Sequence, residues 1–133
     1  MSEYNLQVEN SIKNIGEEEY RKIWQCDSFK NLFTSWEYLS ILEESNCIGQ
    51  ETGWDINFFT LQKNGQIKTV APCFLKFHSY GEYVFDWAWA EAFHRSGVQY
   101  YPKLLFASPF TPISGARLLG LSNSTEIDIF RCE

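Results

Sequence analysis

Asn64-Gly65 constrains the fold of this chain more than any other pair of residues. A two-residue hairpin turn of type I′ needs φ > 0 at both central positions, and Asn-Gly meets that need well. Trp54 to Gln62 reads as the strand that enters the turn, and Ile67 to Phe77 as the strand that returns. On the return strand Ile67, Thr69, Ala71, Cys73, Leu75 and Phe77 share one face, while Lys68, Val70, Phe74 and Lys76 share the other. Pro72 has no N–H to give to a ladder, so the strand is expected to be bulged or at an edge there.

The elements around the hairpin are helices and short strands. Tyr4 to Ile12 alternates as a first strand does. Gly16 is placed to cap a helix whose first turn carries Glu17, Glu18 and Glu19, where the helix dipole favours negative charge. Tyr20, Ile23 and Trp24 give that helix one apolar stripe. Thr34 and Glu37 form a capping-box pattern for a second helix, with Phe33 and Tyr38 as its hydrophobic staple. Trp36, Leu39, Ile41 and Leu42 supply its apolar face. Asp86 to Ser96 reads as a short helix ended by Gly97, and Leu104 to Phe110 as a strand closed by Pro109. This order of elements indicates an α/β or α+β layer fold.

Residues 77 to 117, FHSYGEYVFDWAWAEAFHRSGVQYYPKLLFASPFTPISGAR, mix aromatics with Gly, Glu, Asp, Arg and Lys. Core elements show apolar periodicity instead. Tyr and Trp pair a broad apolar face with one polar tip, which suits a half-dry cleft. Trp87 and Trp89 are nonetheless expected to be buried.

A chain of 133 residues fits one domain, and 44% apolar residues are enough for a core. The net charge of −6 and scattered basic residues argue against a nucleic-acid partner. No apolar run is long enough for a membrane helix, and the polar start MSEYNLQVEN does not resemble a signal peptide, so the cytoplasm is the expected compartment. Cys26, Cys47, Cys73 and Cys132 lack metal-ligand spacing, so no metal is expected and free thiols are. Cys73 lies in an apolar strand that should raise its pKa, which makes a thiol nucleophile a poor candidate.

SWEYLSILEES (35–45), ETGW (51–54), HSYGEYVFDWAWAEAF (78–93), YYPKLL (100–105) and PFTP (109–112) resemble the FemAB-like family. This family, also labelled peptidoglycan biosynthesis/recognition, belongs to the GNAT-type N-acyltransferases. The resemblance spans roughly Phe33 to Leu119. It implies a partial GNAT-like α/β (α+β) fold, with a mixed, mostly antiparallel sheet and flanking helices. It also implies transfer of an acyl or aminoacyl group to an amine, from acyl-CoA or aminoacyl-tRNA, without a covalent enzyme intermediate. The loop after the Leu104–Phe110 strand would meet the donor, through Phe110, Thr111, Ser114, Gly115 and Arg117. Relatives continue with a helix after this loop, further strands and a second domain. Residues 1–119 are therefore expected to be an incomplete N-terminal GNAT-like domain and 120–133 an atypical tail, as in a truncated reading frame. Strands missing in this way would leave an unpaired sheet edge open to self-association.

Glu82 is a candidate general base for the acceptor amine, and Tyr80 a candidate acid for the leaving group. Tyr83, Asp86, Tyr100, Tyr101 and Lys103 are candidates for binding the acceptor. Each has a structural alternative. Asp86 is expected to cap the helix at Trp87, the tyrosines can simply pack, and Lys103 and Arg117 can be solvated charges. His78 and His94 are expected to be structural, with His94 and Arg95 answering the helix dipole. The alternative function is a non-catalytic module that binds sugar or peptide by stacking on segment 80–101.

Overall fold

The computed structural model describes residues 4–120, which form an α+β fold. The Asn64-Gly65 turn is present, with φ of 53° and 77°. It joins β3 (Phe58–Lys63) to β4 (Gln66–Ala71), and β1 (Tyr4–Glu9) pairs with the other side of β3. This sheet has the order β1-β3-β4 and is antiparallel throughout.

The expected strand from Ile67 to Phe77 is two strands in two sheets. Pro72 ends β4, and the chain resumes as β5 (Cys73–Lys76). β5 pairs with β2 (Asp55–Ile56) on one side and β6 (Lys103–Phe106) on the other, both antiparallel. The missing donor at Pro72 thus marks a change of sheet, a larger break than a bulge. The entering strand divides too, at Asn57, whose N–H reaches the Cys73 carbonyl at 2.9 Å. The last strand is shorter than expected and stops at Phe106.

Four α-helices are described: α1 (Ile12–Ile15), α2 (Glu17–Cys26), α3 (Trp36–Glu44) and α4 (Trp87–Arg95). The short α1 has no counterpart in the sequence reading. Its cap is Ser11, whose hydroxyl accepts from the Lys13 N–H. The cap of α3 is Ser35, accepting from the Tyr38 N–H at 3.2 Å, and not Thr34. Thr34 is used elsewhere: it is buried in a 3-10 turn, its carbonyl accepts from the Tyr20 hydroxyl at 2.6 Å, and its Oγ1 accepts from Trp24 Nε1 at 3.2 Å. Phe33 and Tyr38 do meet, edge to face at 5.2 Å. Ile41 is exposed, so the buried face of α3 is narrower than its sequence indicates.

The core gathers Ile12, Tyr20, Leu39, Ile48, Trp54, Phe58, Val70, Phe74 and Leu119. Burying each large side chain contributes on the order of 1.5–3 kcal/mol. Phe74 is the hub of an aromatic group, meeting Trp54 at 5.3 Å and Phe58 at 5.4 Å. Leu119 exchanges backbone hydrogen bonds with Val70, which returns the chain to the free edge of β4. None of the described helices is long and apolar enough to cross a membrane.

Candidate active site

The site is built where β5 and β6 end beside the 77–86 connection. Lys76 and Lys103 are direct cross-strand partners. Like charges directly opposite one another repel, and here Glu82 comes between them. Its Oε2 accepts from Lys103 Nζ at 2.7 Å, and its Oε1 lies 3.7 Å from Lys76 Nζ. Asp86 continues the series through a charge-assisted bond from Lys103 to its Oδ2. The result is a row of alternating sign, Lys76, Glu82, Lys103, Asp86, with no net charge.

Neutral groups complete the coordination. Lys103 also donates to Ser79 Oγ at 2.9 Å, and Ser79 Oγ shares a hydrogen bond with the Tyr101 hydroxyl at 2.7 Å. The Tyr100 hydroxyl donates to Asp86 Oδ2 at 2.7 Å. The rings of Tyr100 and Tyr101 lie 5.5 Å and 5.7 Å from Lys103 Nζ. Lys76 is 0% exposed; it sits over the Trp54 ring at 3.8 Å and donates to the Tyr80 carbonyl at 3.0 Å. Such desolvated cation–π contacts are among the stronger ones. Glu82 Oε1 and Asp86 Oδ1 are buried and accept no hydrogen bond among the described residues.

The charges adjust to these surroundings. Burial pulls the Lys76 ammonium down to about 8, with Glu82 opposing and Lys103 reinforcing the shift. Burial works to raise Asp86, but bonds from Lys103, Ser79 and Tyr100 prevail and hold its carboxyl down at about 2. Burial works to lower Lys103, and its two carboxylate partners overcome that and raise it. The hydrogen bond to Asp86 raises the Tyr100 phenol. His78 is lowered, first by burial and then by Lys76.

Glu82, Asp86, Tyr100, Tyr101 and Lys103 therefore meet in one cluster. Asp86 does stand at the N-cap of α4, but its side chain makes no capping bond; Lys103 and Tyr100 engage its Oδ2 instead. Tyr80 contributes its carbonyl; its exposed ring packs between His78 at 5.1 Å and Trp87 at 5.5 Å. Tyr83 is exposed. Trp87 and Trp89, expected to be buried, are 48% and 67% exposed, and α4 buries no residue at all. His94 and Arg95 lie within its last turn. A trough of about 530 Å³ runs beside the cluster, lined by Ala90, His94, Val98, Gln99, Tyr100 and Tyr101, among others.

The candidate donor loop meets the 77–86 connection at Phe110, whose ring lies against Gly81. Phe110 packs on Trp54 at 5.1 Å, so Trp54 touches both the loop and Lys76. Arg117 turns back on its own loop and donates to the carbonyls of Ile113, Gly115 and Ala116. Gly115, at φ 154°, lies against Asn31, where a Cβ would fall 2.4 Å from Nδ2. Thr111 and Ser114 belong to the same irregular segment. Of the atypical tail expected at 120–133, only Gly120 lies within the described residues.

Lys76, Ser79 and Trp54 did not emerge from the sequence. Lys76 carried a signal, because it shares a face of β5 with Phe74, which is fully buried. No group of His, Cys, Asp and Glu among the described residues could hold a metal ion. Cys73 is buried, and burial pushes its thiol up to about 11, as expected.

A search of curated proteins and a search of solved structures each returned no match. The sequence model of the FemAB-like family, described as peptidoglycan biosynthesis/recognition, matches residues 11–132. That span takes in every residue of the cluster and extends past both ends of the stretch in which the motifs lie. The chain belongs to the FemAB-like family of peptidoglycan biosynthesis/recognition proteins.

Proposed function

We propose that this chain carries the acceptor side of an N-acyltransfer site, which moves an acyl or aminoacyl group onto a primary amine of a peptidoglycan peptide. The observation that carries this reading is Glu82, a buried carboxylate with one oxygen on Lys103 and the other without a hydrogen bond. An amine acceptor arrives as an ammonium and must lose a proton before it can attack. Glu82 Oε1 takes that proton, as a positioned carboxylate can. The free amine then forms a C–N bond to the donor carbonyl. The thiol of a CoA donor, or the ribose hydroxyl of an aminoacyl-tRNA donor, leaves with the electron pair and a proton.

The neighbours have supporting roles. Asp86 stays ionised and holds Lys103, which keeps Glu82 in place. Tyr100 and Tyr101 form a wall shared by the cluster and the trough, and the trough receives the rest of the acceptor. The donor lies on the Phe110 side of Trp54, with Thr111, Ser114, Gly115 and Arg117 along its path. The test is incubation with acyl-CoA or aminoacyl-tRNA and a soluble muropeptide bearing a free amine, followed by mass spectrometry. The amide product supports the reading, and its absence with both donors counts against it.

The row of half-buried His78 with exposed Tyr80 and Trp87, and Trp89 nearby in sequence, favours a second reading as a sugar- or peptide-binding surface. Under this reading a muropeptide raises the melting temperature without any donor, and Trp87→Ala with Trp89→Ala removes the effect. No shift in the parent protein sinks it.

A further inference from the structure

The first sheet has its polarity reversed at one edge. Asn5, Gln7 and Glu9 of β1 pair with Gln62, Thr60 and Phe58, and so share a face with buried Thr60, Phe58 and Val70. Leu6 and Val8 fall on the opposite face, 58% and 52% exposed. That outer face continues through Phe59, Leu61 and Ala71, and ends in a groove of about 430 Å³ closed by Phe106 and Leu118. A half-buried strand ordinarily turns its apolar residues toward the core. β1 turns them away, and its outer backbone edge pairs with nothing among the described residues.

We propose that two copies of this chain associate through β1, edge to edge and antiparallel, joining their first sheets into one six-stranded sheet with a continuous apolar face. The occupant follows from the sequence of the edge itself. Pairing centred on Gln7 sets Leu6 opposite Val8 twice and Asn5 opposite Glu9 twice. Each apolar side chain meets an apolar one on the groove face, and no carboxylate faces another. The interface is isologous, as a two-fold dimer requires. Within β1 there is no Lys and no Pro, the residues that commonly block such edges.

Sedimentation velocity over a concentration series on the full chain tests the proposal, with thermal melts to confirm folding. The parent protein should show reversible dimerisation. Leu6→Lys with Val8→Lys changes exposed side chains only, and should weaken the dimer at least about tenfold with little change in melting. A second measurement does not depend on that variant. Gln7→Cys, in a background with Cys26, Cys47 and Cys132 changed to Ser, should give a covalent dimer on mild oxidation. A monomeric parent protein, a dimer indifferent to the Lys pair, or no covalent dimer at Gln7→Cys would each overturn the proposal.

Discussion

Lys76 and Lys103 face each other directly across β5 and β6, and the carboxylate of Glu82 spans them, 3.7 Å from one ammonium and 2.7 Å from the other. The two lysines are not equivalent. Lys103 has two carboxylates and a hydroxyl as partners. Lys76 has one carboxylate beyond hydrogen-bond distance, a carbonyl and an indole ring. The difference accounts for the opposite directions in which their pKa values move. It also leaves Glu82 held firmly at Oε2 and loosely at Oε1.

Lys76→Met should alter the pH dependence of stability. Burial holds Lys76 at about 8 in the folded chain, against 10.5 for an exposed lysine. Between those values the unfolded chain binds more protons, so stability rises with pH there. The cost of charging Lys76, about 3 kcal/mol, is complete below the lower value. Denaturant unfolding across this range should show the rise in the parent protein and not in the variant. The raised Cys73 thiol acts in the opposite sense but is common to both proteins, so it cancels in the difference. Equal slopes would contradict the assignment.

Lys103→Met should be the more damaging change. It leaves Glu82 and Asp86 close together with only Lys76 nearby, and uncompensated buried charge costs about 3–5 kcal/mol. Chemical denaturation should show a loss of that order, while Lys76→Met at neutral pH loses much less. The reverse ranking would mean that Lys103 does not organise the cluster.

Asp86→Asn tests the acid limb. The folded carboxyl lies at about 2, below its ordinary 3.8. Its contribution, about 2 kcal/mol, is present above the ordinary value and is lost as pH falls toward the folded one. Thermal midpoints of the parent protein should fall toward those of the variant over that acidic range. A difference that does not change with pH would rule out this origin.

How much of this was legible in the sequence depends on whether the signal was local. The Asn64-Gly65 turn and the α4 boundary at Gly97 were readable, because turn and cap geometry belong to a few neighbouring residues. Ser35 was missed as a cap because Thr34, a chemically similar candidate one residue away, is claimed by Tyr20 and Trp24. The change of sheet at Pro72 was half visible: the lost donor was evident, but not the second sheet that takes up Cys73–Lys76. Glu82, Asp86, Tyr100, Tyr101 and Lys103 were chosen from composition and family resemblance. Their meeting depends on the β5–β6 register, which no local pattern specifies. The exposure of Trp87 and Trp89 was read wrongly, because bulky apolar side chains are expected to be buried.

Gly115→Ala should destabilise the chain even without any ligand. The new Cβ would meet Asn31 Nδ2 at 2.4 Å, at a φ of 154° that side chains rarely adopt. The expected cost is about 1–3 kcal/mol, read as a lower thermal midpoint. An unchanged midpoint would show that the loop stands off from Asn31, with its backbone free for other contacts.

In the proposed function Glu82 is the base that frees the acceptor amine. The most direct test is the rate of amide formation by Glu82→Gln, which keeps the shape and the bond from Lys103 but removes the basic oxygen. Acyl-CoA or aminoacyl-tRNA and an amine-bearing muropeptide serve as substrates, and a matching melting curve confirms the fold. The predicted result is amide formation by the parent protein and a loss of at least about 100-fold in the variant. A variant as fast as the parent would contradict the assignment.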